Sequence, residues 1–177
     1  MKKVLLTIII VLLLEGFAVF LLGYSGVYSV SLLNHDTPFI NRLLMEGRER
    51  SIKRNATGIT VPPLDDPARV RAGSAHYKEM CAQCHGAPGG HPGEIAKGLW
   101  PEAPDLEMSA SDWTPAELFW ITKNGIKFSA MPAWGPTYSD DKIWDIVAFV
   151  QKLPNLSDKD YEQMTSGSFT DEKRPEK

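Results

Sequence analysis

The sequence predicts an all-α protein, in which a small helical domain follows an N-terminal transmembrane helix. An unbroken apolar run occupies Val4–Leu22, and amphipathic helical patterns with recognisable caps recur after it. No series of alternating segments typical of β-strands is present. The 177 residues suit one ordinary domain with an appendage and exclude a large multidomain enzyme.

Charge divides the chain into a basic front and an acidic body. Up to Val61 there are seven Lys or Arg residues and four acidic residues, whereas from Pro62 onward there are twelve basic and eighteen acidic residues. The net charge of -3 averages over this contrast. Because no basic face with interleaved aromatic residues occurs, nucleic-acid binding is excluded.

The N-terminal run predicts a membrane anchor over residues 1–28. Of the 19 residues in Val4–Leu22, 16 are apolar, and as a helix they would span roughly 29 Å, close to the thickness of a bilayer core. Lys2 and Lys3 favour a cytoplasmic N-terminus. The run exceeds a signal h-region, and no A-x-A site follows it, so a retained anchor is favoured over a cleaved signal peptide.

Residues 29–61 are expected to form a juxtamembrane amphipathic segment and a linker. Thr37 can cap a helix, Pro38 suits its first turn, and the pattern continues to Ile52. The apolar side carries Phe39, Ile40, Leu43 and Leu44, and the charged side carries Arg42, Glu46, Arg48 and Arg50. This helix could lie on anionic headgroups, dock on a partner subunit or belong to the domain itself. Glu15, inside the apolar run, could likewise face a partner's transmembrane helix.

Three helices separated by loops rich in Gly and Pro are expected within residues 62–154. Asp66 and Pro67 begin the first, Thr114 begins the second with a capping box, and Ser139 begins the third. From Asn155 the sequence turns polar, which predicts a C-terminal tail over residues 155–177, disordered from Gly167.

The motif Cys81-Ala82-Gln83-Cys84-His85 carries the chemistry. C-x-x-C followed by His is the attachment pattern of a c-type haem, in which both thiols form thioethers and the histidine is the proximal iron ligand. We therefore predict one haem c, attached through Cys81 and Cys84 and ligated by His85. The alternatives are a thioredoxin-like site without its βαβ context, a zinc site with His91 as an incomplete ligand set, and a simple disulfide ring.

Met131 is the predicted sixth iron ligand. It lies in an irregular loop between two predicted helices, and Pro132 and Gly135 fix the path of that loop. A methionine opposite histidine is common in electron carriers. Met108 is the second candidate, and His76 or His91 would give bis-histidine ligation instead.

These motifs together resemble a class I (monohaem) cytochrome c, over roughly Asp66 to Leu153. The chain is particularly similar to bacterial membrane-anchored c-type cytochromes, which share stretches like Pro62–Pro67, His85–Pro88 and Asn124–Lys127. The resemblance implies a three-helix or larger all-α domain around one covalently bound haem. It also implies that the first and last helices cross at Gly73, where Tyr77 meets Phe149, and that a carbonyl in Leu99–Leu106, Pro104 being favoured, accepts a hydrogen bond from His85.

The function expected from these features is one-electron transfer on the outer, periplasmic face of the cytoplasmic membrane. Membrane lipid would hold the N-terminal helix, and a donor and an acceptor redox protein would be the partners. The chain could instead be the electron-transfer subunit of a membrane dehydrogenase or terminal reductase complex. A haem enzyme or gas sensor is a third possibility, and it requires that Met131 leave the iron open.

Overall fold

The computed structural model describes residues 1–33 and 38–166, and within these ranges the protein is helical, with no β-strand. The chain forms two compact units, Met1–Asp36 and Thr37–Lys177. The α-helices are α1 Lys2–Tyr24, α2 Pro38–Ala56, α3 Pro67–His76, α4 Ala82–His85, α5 Leu106–Ser109, α6 Pro115–Asn124, α7 Asp140–Val150 and α8 Asp158–Thr165.

Helix α1 contains the apolar run that the sequence predicts as a membrane span. Its 23 residues are predominantly apolar, and none of its most apolar stretch is buried. By length and composition α1 could cross a membrane as an anchor, and it could equally be a signal sequence.

Helix α2 extends one turn beyond the predicted end at Ile52. Ile52 and Ala56 are buried, at 1% and 5% exposure, because this end of the helix packs against α6. The carboxyl-terminal part of α2 therefore belongs to the helical domain. The predicted cap, Thr37, lies outside the described residues.

The crossing of α3 and α7 is the centre of the domain. A β-carbon added at Gly73 would collide with the backbone carbonyl of Asp145 and would lie 2.9 Å from the Cβ of Phe149. The rings of Tyr77 and Phe149 meet at a centroid distance of 5.3 Å. The crossing that the resemblance implied is therefore present, and the missing side chain at residue 73 permits it.

A buried ion pair fastens the same crossing. Arg69 Nη1 lies 2.8 Å from Asp145 Oδ1, and the two side chains are only 13% and 7% exposed. The other terminal nitrogen of Arg69, Nη2, lies 3.4 Å from Oδ1 of the more exposed Asp141. Such a pair fixes the register of α3 on α7, because a displaced helix would leave a charge in the interior.

The helix starts follow the predicted caps. The side chains of Asp66, Thr114 and Ser139 each accept a hydrogen bond from a backbone N–H in the first turn of α3, α6 and α7. Thr114 and Glu117 form the complete reciprocal capping box. From Ile143 to Val150 every residue of α7 is buried, so α7 is the core helix of the domain.

A further helix, α8, lies within the stretch 155–177 that polar composition assigns to a tail. Its Tyr161 and Thr165 are buried, and Tyr161 packs 6.1 Å from Phe149. Lys78 Nζ donates a hydrogen bond to the Thr165 carbonyl at 2.9 Å. The segment Asp158–Thr165 thus packs on the domain as a helix, and residues 167–177 lie outside the described range.

Candidate haem-attachment site

The attachment motif occupies one tight helical stretch directly after α3. A single π-helical turn, Tyr77–Cys81, leads into the short helix α4, which ends when Gly86 takes a positive φ of 73°. Cys81 and Cys84 are both free thiols of intermediate burial. One helical turn therefore presents two unbridged thiols and places His85 next to the second of them.

A backbone carbonyl orients the imidazole of His85. Its Nδ1 lies 2.8 Å from the carbonyl oxygen of Pro104, the residue favoured in the sequence-based prediction. Nδ1 is then the protonated nitrogen, since a carbonyl oxygen can only accept, and Nε2 is left for a metal. Burial lowers the pKa of His85, while the Pro104 hydrogen bond and the charge of Asp105 oppose that shift. The site thus favours the neutral imidazole that iron ligation requires.

A buried hydrogen bond joins the residues that flank the attachment motif. The Tyr77 hydroxyl, four residues before Cys81, donates to the Gly86 carbonyl at 2.7 Å. Burial is the main cause that raises the pKa of Tyr77, so the hydroxyl keeps its proton at physiological pH. This bond ties the start of the attachment segment to the peptide that follows His85.

The loop after the motif folds back onto it. Gly90 N–H donates to the Ala87 carbonyl at 2.8 Å, and Gly93 N–H donates to the Gln83 carbonyl at 2.8 Å. Gly89, at φ 71°, approaches α8 so closely that a β-carbon there would lie 2.8 Å from Asp158 Cγ. The backbone is thus fastened on both sides of Cys84 and His85.

The state of Cys81 argues against thioredoxin-like chemistry. Burial, and secondarily the neighbouring Cys84, raises the pKa of Cys81 to about 12. A redox-active C-x-x-C motif needs the opposite shift, because the thiolate is the attacking species. Among the residues that the structure describes, no group of three or more His, Cys, Asp or Glu side chains is arranged to hold a metal ion.

The loop that carries Met131 is held by backbone contacts to the end of α6. Ile126 N–H donates to the Met131 carbonyl at 3.2 Å, and Met131 N–H donates to Ser129 Oγ at 3.2 Å. Gly125, at φ 65°, lies so close to this loop that a β-carbon on it would lie 2.8 Å from the Met131 carbonyl oxygen. Met131 itself is of intermediate burial.

The other candidate sixth ligands lie in less suitable surroundings. Met108 is 76% exposed, and His91 is also exposed. His76 is buried, but its ring packs against Tyr138 at a centroid distance of 5.2 Å. Cys81, Cys84 and His85 are joined in one turn, and Met131 is presented by a separate loop.

Three features of this site were not anticipated from the sequence. They are the Tyr77–Gly86 hydrogen bond, the hydrogen bond from Lys78 to the Thr165 carbonyl of α8, and the close approach of Gly89 to α8. For α8 a signal existed, since Ser157 is a good cap and Tyr161 and Met164 recur at helical spacing.

The donor set fits a covalently attached haem. Two adjacent free thiols can form thioethers, and an imidazole with its Nδ1 satisfied by a carbonyl can ligate iron through Nε2. Together with the all-helical fold, these features define a class I monohaem c-type cytochrome domain.

The comparison with known families agrees with this class of protein. Residues 68–150 match the family described as cytochrome c oxidase, cbb3-type, subunit III. No curated protein matches the chain. The cofactor is haem c, covalently attached, and it supplies reversible one-electron chemistry. The domain therefore takes part in electron transfer.

Proposed function

We propose that the protein is a membrane-anchored one-electron carrier whose haem is attached to Cys81 and Cys84 and ligated by His85 and Met131. The observation that carries this proposal is the 2.8 Å contact between His85 Nδ1 and the Pro104 carbonyl. It fixes the tautomer and the plane of the imidazole, which is what a permanent axial ligand needs. A carrier benefits from a ligand that does not move when the charge on the metal changes.

Met131 is the proposed distal ligand because its loop is braced by several backbone contacts. The hydrogen bonds from Ile126 N–H and to Ser129 Oγ hold the peptide of Met131 on both sides. A fixed backbone lets a thioether stay bound in both oxidation states. Methionine opposite histidine raises the reduction potential relative to bis-histidine ligation.

Helix α1 is the proposed anchor, with the haem domain on the periplasmic side. Its length and apolar composition support a span, and Lys2 and Lys3 support a cytoplasmic N-terminus. An anchored domain meets membrane oxidoreductases at a raised effective concentration. Its donor and acceptor are proposed to be redox proteins at the same membrane face.

Carbon monoxide binding to the reduced protein tests the ligation. A carrier with both axial positions filled gives the sharp α-band of a low-spin c haem and binds carbon monoxide slowly and incompletely. Met131→Ala is expected to bind it rapidly and stoichiometrically, whereas Met108→Ala, at an exposed methionine, is the matched control and should behave like the unaltered protein. Rapid stoichiometric binding by the unaltered protein would favour the open-iron alternative.

A second candidate is an electron-transfer subunit of a membrane oxidoreductase complex. Two observations favour it: the matched family is described as an oxidase subunit, and Glu15 lies within the apolar span of α1. A carboxyl group in lipid is costly and usually faces protein.

Gentle detergent extraction of the native membrane, followed by sizing, separates the two candidates. Migration with other subunits, lost in a Glu15→Leu variant and retained in a Thr7→Leu control, would establish the subunit role. Migration as a lone monomer would establish the independent carrier.

A further inference from the structure

Helix α2 has two apolar sides, and only one of them is covered. The covered side carries Ile52 and Ala56, which pack against α6. The uncovered side, here called the α2 stripe, consists of Phe39, Ile40, Leu43 and Leu44, with exposures of 76%, 42%, 62% and 48%. At about 100° per residue, the stripe lies roughly opposite Ile52 and Ala56 on the helix surface.

The position of the stripe explains why the domain cannot cover it. Since α2 is held to α6 through its far side, no rotation of the helix could bury the stripe without exposing Ile52 and Ala56. An exposed apolar row of four large side chains on one helix face marks an interaction surface.

The charge of α2 indicates which surface it meets. Between Pro38 and Ala56 there are five basic residues and two acidic ones, in a protein whose overall net charge is negative. Glu46 is engaged by Arg42 at 3.3 Å and by Arg50 at 3.6 Å, so the acidic charge is largely compensated within the helix. An apolar row with an excess of Arg and Lys is the pattern of a helix that lies in the interface of an anionic bilayer.

The length of the connection limits how far α2 can lie from the end of α1. Only the 13 residues 25–37 separate the end of α1 from Pro38, and they can span at most about 45 Å. The described part of this connection is apolar and exposed, with Val27, Tyr28, Val30 and Leu33 at 63% or more. Tyrosine is enriched at the membrane interface.

We propose that the α2 stripe is a lipid-binding surface that inserts into the headgroup region of an anionic membrane. Arg and Lys side chains of α2 would contact lipid phosphates, while Ile52 and Ala56 hold the helix to the haem domain. Because one helix then contacts both lipid and domain, α2 sets the orientation of the haem domain on the membrane. The inference rests on the proposed anchoring by α1 and does not depend on the ligation of the iron.

Spin labels on the full-length holoprotein test the proposal. Both native cysteines are consumed by the haem, so Leu43→Cys carries a single free thiol in the stripe, and Glu49→Cys provides the matched control at an exposed position roughly opposite the stripe. One chain is placed in each nanodisc, made of phosphatidylcholine alone or of equal parts phosphatidylcholine and phosphatidylglycerol. Collision rates with a water-soluble paramagnetic reagent and with oxygen are then measured for each label.

The label at residue 43 is expected to lose accessibility to the water-soluble reagent several-fold relative to residue 49, and to gain accessibility to oxygen. The contrast should be largest in the phosphatidylglycerol discs. Equal accessibility at both positions in both kinds of disc would overturn the proposal, as would protection of residue 43 in detergent that is independent of lipid.

Failure of the inference can be told apart from failure of the proposed function. The intact mass measured before labelling reports whether the haem is attached, and flotation of the discs with the protein reports whether α1 is inserted. With both in place, an aqueous label at residue 43 refutes the lipid-binding surface alone.

Discussion

The close approach of α3 and α7 makes Gly73 the most sensitive backbone position in the domain. In Gly73→Ala the new methyl group would overlap the Asp145 carbonyl, which belongs to the core helix and cannot rotate away. The helices would have to separate, and this would loosen the Tyr77–Phe149 contact at the same time.

The expected loss of stability in Gly73→Ala follows from two opposing contributions to the free energy of unfolding. Overpacking of a tight core contact costs up to about 3 kcal/mol, and replacing a mid-helix Gly by Ala returns about 1 kcal/mol of helix propensity. The free energy of unfolding should therefore fall by about 2 kcal/mol, which moves the urea midpoint down by about 1 M.

Tryptophan fluorescence during urea unfolding measures this change within the haem domain, because all five Trp residues lie between Trp100 and Trp144. Gly47→Ala is the matched control, since Gly47 also lies inside a helix but a β-carbon there meets nothing within 4 Å. The control should leave the midpoint unchanged or raise it slightly. A Gly73→Ala protein as stable as the Gly47→Ala protein would refute the close crossing.

Three further substitutions test individual contacts. Tyr77→Phe removes the hydrogen bond to Gly86 and should lower the free energy of unfolding by about 1–3 kcal/mol at pH 7. Because the pKa of Tyr77 is raised on folding, the unaltered protein loses stability as the pH rises above about 10, and its free energy of unfolding should approach that of the variant. A difference in the free energy of unfolding that stays constant with pH would contradict this. Arg69→Met leaves the buried Asp145 carboxylate without its guanidinium and should lower the free energy of unfolding, measured in urea, by about 3–5 kcal/mol. The double variant Arg69→Met with Asp145→Leu should regain much of this loss. Additive losses from the two substitutions would contradict the pairing. Thr114→Ala removes one half of the capping box of α6 and should lower the free energy of unfolding by about 1 kcal/mol, whereas an unchanged midpoint would show that the cap is dispensable.

Local chemistry made the helix starts and the attachment motif predictable. Asp66, Thr114 and Ser139 satisfy backbone N–H groups within their own first turn, so their roles depend on neighbours in the sequence. The same holds for Cys81, Cys84 and His85, whose spacing alone specifies the chemistry. The resemblance to cytochromes c supplied the contacts of Gly73 and Pro104, which spacing could not.

The interactions that escaped prediction join residues far apart in the chain. Arg69 and Asp145 are 76 positions apart in the sequence, where neither can be distinguished from an ordinary solvent-exposed charged residue. Helix α8 is polar over most of its surface, and although its cap is visible in the sequence, its packing on the domain depends on the burial of Tyr161 against Phe149. Such pairings follow from the tertiary arrangement, because burial decides their energy.

Proton NMR of the reduced protein, with the methionine methyl groups isotopically labelled, tests the central claim most directly. A methionine bound to haem iron lies under the ring current, so its methyl resonance shifts far upfield, away from those of unbound methionines. Of the six methionines, one methyl should shift in this way; the signal should vanish in Met131→Ala and persist in Met108→Ala. An upfield methyl that survives in Met131→Ala, or no upfield methyl in the unaltered protein, would contradict a His85/Met131-ligated electron carrier.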